Sequence, residues 1–140
     1  MKRREFIGTL TALAVSPHIS TTDPLVYSFT KGRPVQPGRI KLEIPPLAEN
    51  GHSVAMTVRV DSPMTPSDHV RAVHLIAENN PVRDMAVFYL GAHCPRAEVS
   101  SRIRLNGSQR VVAIAELSDG SFWSDAAYVE VREAACTDGG

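Results

Sequence analysis

The chain has 140 residues, enough for one domain whose hydrophobic core needs neither a metal nor a disulfide to hold it. Its 15 basic residues balance 15 acidic ones, which excludes the electrostatic footprint of a nucleic-acid binder, and no basic helix points to a membrane surface. Small molecules and other proteins remain as partners.

Lys2-Arg3-Arg4-Glu5-Phe6-Ile7 opens the chain with paired arginines, and the apolar run from Phe6 to Val15 is too short to span a bilayer. This is the pattern of a twin-arginine export signal over residues 1–20, and it predicts a folded cargo in a bacterial periplasm. A small-x-small site at Ala12-Leu13-Ala14 puts cleavage between Ala14 and Thr22. Loss of Lys2, Arg3, Arg4 and Glu5 leaves a mildly acidic chain of net charge −2. In an oxidising compartment the two cysteines, Cys94 and Cys136, make one structural disulfide the default reading.

Residues 21–38 are rich in Pro, Ser and Thr, and only Leu25-Val26-Tyr27-Ser28-Phe29 is apolar, so a lead-in with one short helix or strand is expected. Alternation then takes over. Arg39 to Ile44 sets Ile40, Leu42 and Ile44 on one face, and Pro45-Pro46 ends that strand. Glu49-Asn50-Gly51 supplies turn chemistry before a second strand, with Val54, Met56, Val58 and Val60 inward. Val70 to Ala77 and Met85 to Leu90 are apolar on both faces, as in strands buried on both sides or packed on a partner. Val99 to Leu105 alternates again, and Asn106-Gly107 reads as a hairpin turn into Arg110 to Leu117. Ser118-Asp119-Gly120-Ser121 then turns the chain into a final strand over Ala126 to Arg132. About seven strands at this spacing predict an all-β, immunoglobulin-like antiparallel β-sandwich over 39–132, followed by a flexible tail, 133–140.

Enzyme signatures are missing from the sequence: it has no Gly-rich phosphate loop, no G-x-S-x-G and no H-E-x-x-H. His69 and His74, five apart, would point to opposite faces of one strand, and His93-Cys94 has no second close pair to complete a metal site. Glu116, Asp119 and Asp125 read as solvated turn carboxylates. No cofactor or metal is expected. Cys136 differs in kind. It lies past the last strand, on the small residues Ala134-Ala135 and ahead of Gly139-Gly140, so an extended segment from Arg132 would carry its sulfur about 15 Å beyond the sheet. Such an arm suits a carrier that holds substrate on a thiolate and presents it to several enzymes at high effective concentration. A Cys94–Cys136 disulfide and an idle terminal thiol are the competing readings.

Glu43-Ile44-Pro45 with Ala48-Glu49-Asn50-Gly51, Asp61-Ser62-Pro63-Met64-Thr65, Ala97-Glu98-Val99-Ser100 and Ser118-Asp119-Gly120-Ser121, in this order and spacing, resemble the SoxY sulfur carriers of periplasmic thiosulfate oxidation. The resemblance runs from Ile40 to the end of the chain. It implies a β-sandwich without catalytic activity of its own, pairing with a SoxZ-like β-sandwich as a heterodimer and docking transiently with enzymes of the Sox pathway. It also implies that Cys136 is the site of covalent substrate attachment. The SoxZ contact is then expected on the doubly apolar strands that begin at Val70 and Met85. A SoxY-like structural or delivery module with Cys94 and Cys136 in a disulfide is the alternative. The tail departs from the family's Gly-Gly-Cys-Gly-Gly ending: Ala134, Ala135 and Thr137 restrict φ, and Asp138 puts a negative charge near the sulfur, which disfavours anionic adducts.

Overall fold

The computed structural model describes residue 20 and residues 22–133. The segment expected as an export signal, apart from Ser20, and residues 134–140 with Cys136 lie outside the described residues. Within them the order is α1 (Pro24–Thr30), β1 (Val35–Pro37), β2 (Ile40–Glu43), β3 (Leu47–Asn50), β4 (Val54–Val60), β5 (Val70–Ala77), β6 (Asp84–Tyr89), β7 (Glu98–Ile103), β8 (Gln109–Leu117) and β9 (Phe122–Glu133). The strands form the expected immunoglobulin-like sandwich. One sheet has the order β1-β9-β8-β5-β6, with β3 also on β9, and the other has the order β2-β4-β7.

Alternation in the sequence maps directly onto burial. In β4, Val54, Met56, Val58 and Val60 point into the space between the sheets while Ala55 and Arg59 face water. They meet Val73, Leu75 and Ala77 of β5 and Val111, Ala113 and Ala115 of β8 in one cluster. Each large apolar side chain buried there contributes about 1.5–3 kcal/mol.

The second apolar face of β5 has an intramolecular cause. Asp23 caps α1 by accepting from the Leu25 N–H at 2.9 Å, and Pro24 starts the helix with its φ already set. Lys31 ends it in the left-handed region, its N–H bonded to Tyr27 O. This helix lays Val26 and Thr30, both buried, with Leu25 and Phe29, over the outer face of the larger sheet, where Ile76, Val112, Ile114 and Phe122 form a second core. The Arg83 guanidinium, in the turn before β6, grips the capping carboxylate at 2.8 Å and ties the helix to that edge. β5 is therefore an interior strand covered by the chain's own lead-in, and only β6 of the two strands expected at a partner contact lies at an edge.

Two expectations are corrected. Asn106-Gly107 is no hairpin turn: β7 pairs with β4 in the smaller sheet and β8 with β5 and β9 in the larger, so the connection crosses between sheets. Neither residue has the positive φ that a two-residue hairpin of this composition requires. Among the described residues there are nine strands rather than seven, the additional ones being β1 and β3. Both run parallel to β9 on its outer edge, β1 along Phe122 to Ser124 and β3 along Glu130 to Glu133. The stretch expected as a Glu49-Asn50-Gly51 turn is thus partly strand.

Candidate functional site

The described residues end at Glu133 of β9, three positions before Cys136. β9 is held on one side as far as Val131 and on the other to its last residue, Glu133. Gln109 to Glu116 of β8 pair along one edge, while on the other Glu130 N–H donates to Pro46 O and Gly51 N–H donates to Glu133 O, each at 2.8 Å. Ser108 Oγ accepts from Val131 N–H at 2.8 Å. The strand starts four residues earlier, at Phe122, and ends one residue later than the Ala126 to Arg132 expected from the sequence. Three residues of extended chain from Glu133 span at most about 11 Å, which is the reach left to a thiol at Cys136.

The remaining predicted residues are scattered. Cys94 is half-buried in the loop between β6 and β7 and forms no disulfide among the described residues. His93 beside it is exposed. No group of three His, Cys, Asp or Glu side chains among the described residues is disposed to hold a metal. Asp119 is a turn carboxylate as expected, accepting from Ser121 N–H at 2.9 Å, and Ser121 holds its carboxyl below the usual carboxylate range. Asp125 is not in a turn. It sits within β9, between the segments that pair with β1 and β3, and accepts the Leu42 N–H of β2 at 2.8 Å, which links the two sheets.

Sequence reasoning missed two polar centres. Gln109 is 1% exposed, and its side chain joins the β5–β6 turn to the β7–β8 crossing through Asn79, Asn80, Asn106 and Gly107. A buried Gln opening an apolar strand was the available signal, since such a group requires partners. His74 of β5 is 7% exposed and stacks on Phe29 of α1 with ring centroids 3.7 Å apart and planes 6° from parallel. Its Nε2 has no hydrogen-bond partner and lies 3.9 Å from Glu116 Oε1. Burial pushes the His74 pKa below 6.5, opposed by the charges of Glu116 and Asp84.

The sign of the resulting pH dependence follows. The unfolded chain takes up a proton below about pH 6.5 that the folded chain resists, so His74 favours folding fully above that pH and loses this contribution as pH falls through the folded pKa. The midpoint of urea unfolding should therefore drop between roughly pH 7.5 and 5. In His74→Phe, which keeps the stack on Phe29 and removes the titration, that part of the profile should flatten. An identical slope in the variant would assign the effect to another group.

The family model for the sulfur oxidation protein SoxY matches residues 27–136. The chain belongs to the SoxY family. The match begins in α1, spans every strand of the sandwich and ends on Cys136. Among solved structures, the sulfur carrier protein SoxY from Chlorobium limicola f thiosulfatophilum superimposes with a TM-score of 0.65 at 23% identity, over 78% of this chain and 90% of that one. A superoxide reductase (neelaredoxin) from Ignicoccus hospitalis gives 0.59 at 18% identity, over 66% of this chain and 78% of that one. The superoxide reductase from Nanoarchaeum equitans gives 0.58 at 18%, over 68% and 99%. At these identities the structural likenesses establish the fold that SoxY shares with these proteins. Among curated proteins no sequence matches.

Proposed function

We propose that this SoxY-family chain is a periplasmic sulfur carrier that holds thiosulfate-derived intermediates covalently on Cys136. The observation that carries the reading is the family match running to Cys136, three positions past a strand held to Val131 on one edge and to Glu133 on the other. A rigid base and a short arm let the sulfur enter a partner's active site while the sandwich stays outside it.

The chemistry asked of the carrier is limited to its thiol. Loading joins the Cys136 sulfur to the outer sulfur of thiosulfate; the thiol proton and two electrons leave, the electrons going to a redox enzyme that acts on the carrier. Hydrolysis of the terminal sulfonate then releases sulfate and leaves a persulfide on Cys136 for further oxidation. The carrier works as a heterodimer with a SoxZ-like partner and supplies no catalytic group.

The test is intact-mass analysis of the complex purified from cells oxidising thiosulfate. Adducts are expected on the wild-type chain and none on Cys136→Ala, whose sulfur-transfer turnover should fall to background. Unchanged adducts in the variant would overturn the assignment. A thiol count on unreduced, adduct-free protein separates the other reading, because an absence of free thiols would mean that Cys94 and Cys136 are paired and that the chain is a structural or delivery module.

A further inference from the structure

The loop between β3 and β4 lies against the last residue of β9. β3 runs parallel to β9 with Asn50 the partner of Glu133, and Gly51 N–H donates to Glu133 O while Gly51 O accepts from Leu105 N–H, each at 2.8 Å. Gly51 is buried there, and His52, next in the chain, is exposed. Neighbouring strands lie about 4.8 Å apart and two residues span at most about 7 Å, so the Cα atoms of Glu133 and His52 are within about 12 Å of each other. Three residues of extended chain from Glu133 reach about 11 Å, and the side chains of Cys136 and His52 cover the difference.

The His52 ring is held in one tautomer. Asn50 Oδ1 accepts from the His52 backbone N–H at 2.8 Å, which fixes that atom as the amide oxygen, and it therefore accepts from His52 Nδ1–H as well, at 2.9 Å. A neutral ring with its hydrogen on Nδ1 carries its lone pair on Nε2, and no hydrogen bond from a described residue occupies that atom. Fixed charge at this corner does not favour a thiolate. Arg102, whose guanidinium bonds Ser53, and Arg132 stand against Glu49, Glu130 and Glu133, and the sequence adds Asp138 beside the sulfur. Cys94 is no alternative partner for the sulfur. Its loop lies at the far end of β4, where Val60 N–H donates to Ala97 O at 2.9 Å, about 20 Å along that strand from His52. It also hangs from β6, three strands across the larger sheet from β9, while a disulfide needs Cα atoms within about 7 Å.

We propose that His52 is the proton acceptor of the Cys136 thiol: the S–H bond breaks, the proton moves to His52 Nε2, the electron pair stays on sulfur, and a thiolate–imidazolium pair results. This rests on the carrier reading above and adds the residue that readies its thiol. The thiolate is the nucleophilic form of cysteine, and a base in contact supplies it where the surrounding carboxylates would otherwise keep the thiol protonated. When the sulfur is joined to thiosulfate and two electrons leave to the redox enzyme, the imidazolium returns its proton to water. His52 acts only on the carrier's own sulfur, and the oxidation and hydrolysis stay with the partner enzymes. Asn50 is the positioning residue, because its amide oxygen keeps the lone pair on Nε2 rather than Nδ1.

The test is the pH profile of alkylation. The purified complex, reduced and freed of adducts, is treated with iodoacetamide between pH 5 and 9, and the rates at Cys136 and Cys94 are read separately from peptide masses. In His52→Gln the Cys136 rate at pH 7 should fall about fivefold, and its half-maximal rate should come about one pH unit higher than in wild type. Cys94 should alkylate alike in both, and His93→Gln, which removes the exposed imidazole beside Cys94, should leave the Cys136 profile as in wild type. Equal melting temperatures check that the variants fold, as expected for exposed positions. Coincident Cys136 profiles in wild type and His52→Gln, or an equal displacement in His93→Gln or at Cys94, overturn the assignment of His52. The carrier reading then still stands if thiosulfate adducts vanish in Cys136→Ala, whereas adducts that persist in that variant overturn both.

Discussion

Val26→Asp should lower the free energy of folding by about 3 kcal/mol or more and uncover an apolar face of the larger sheet. Val26 is fully buried where α1 meets Ile76, Val112, Ile114 and Phe122. A carboxylate there is set among apolar side chains, so either the side chain takes up a proton or the helix leaves the sheet, and the second outcome forfeits the burial of Leu25 and Phe29 as well. Urea unfolding followed by the fluorescence of Trp123 measures the loss, and stronger binding of an apolar dye measures the exposure. Asp23 reports the same docking at its other end: the Arg83 guanidinium holds its carboxyl below 3.8, which favours the fold above that pH and ceases to as pH falls through the folded value. An unchanged urea midpoint in Val26→Asp would mean that α1 does not cover β5 in solution.

Gln109→Met is the second large effect, expected at about 2–4 kcal/mol, because the apolar replacement fills the space and satisfies nothing. Gln109 Nε2 faces three acceptors, Asn80 Oδ1 at 2.8 Å and Asn106 Oδ1 and Gly107 O at 3.0 Å, and shares two hydrogens among them. Its Oε1 accepts from Asn79 N–H at 2.9 Å. Asn80 in turn donates to Arg104 O at 2.9 Å and accepts from Asn106 N–H at 3.0 Å, so the β5–β6 turn and the β7–β8 crossing are locked together. Ser108, inside that crossing, is the residue that holds Val131 near the end of β9. Loss of Gln109 should therefore also quicken hydrogen exchange at Val131, and Gln109→Met combined with Asn80→Ala should cost less than the sum of the two. Additive losses would show that the two amides act independently.

Much of the sandwich was legible in the sequence because a strand with one face in the core must alternate. β4 and β5 were bounded at Val54–Val60 and Val70–Ala77 by periodicity and flanking turn residues alone, and the structure has the same limits. The Ser118-Asp119-Gly120-Ser121 turn was equally readable, since an Asx side chain and a residue at positive φ are local requirements, and Gly120 has a φ of 87°. A β carbon there would strike the Arg33 guanidinium, which donates to Gly120 O.

The errors share a cause. Asn106-Gly107 has hairpin composition, yet turn residues record only that the chain changes direction, and which sheet it enters next depends on the partners of β8. β1 and β3 were missed because parallel pairing on the edge of β9 leaves no turn signal, and Pro37 and Pro46 argue locally against strand. Both faces of β5 being apolar left burial on both sides and contact with a partner as alternatives, and the sequence does not separate them, because the covering element is the chain's own short helix some 40 residues earlier.

By itself the sequence determined which side chains of each strand point inward and that a lone cysteine follows the last strand, since both are properties of adjacent residues. Only the tertiary structure decided which strands share a sheet, that α1 covers β5, that β9 is held to Val131 on one edge and to Glu133 on the other, and that no strand among the described residues covers the β6–β7 flank. Those features rest on contacts such as Arg83 to Asp23 and Asp125 to Leu42, 60 and 83 positions apart, and no local pattern encodes the energy of such a pair.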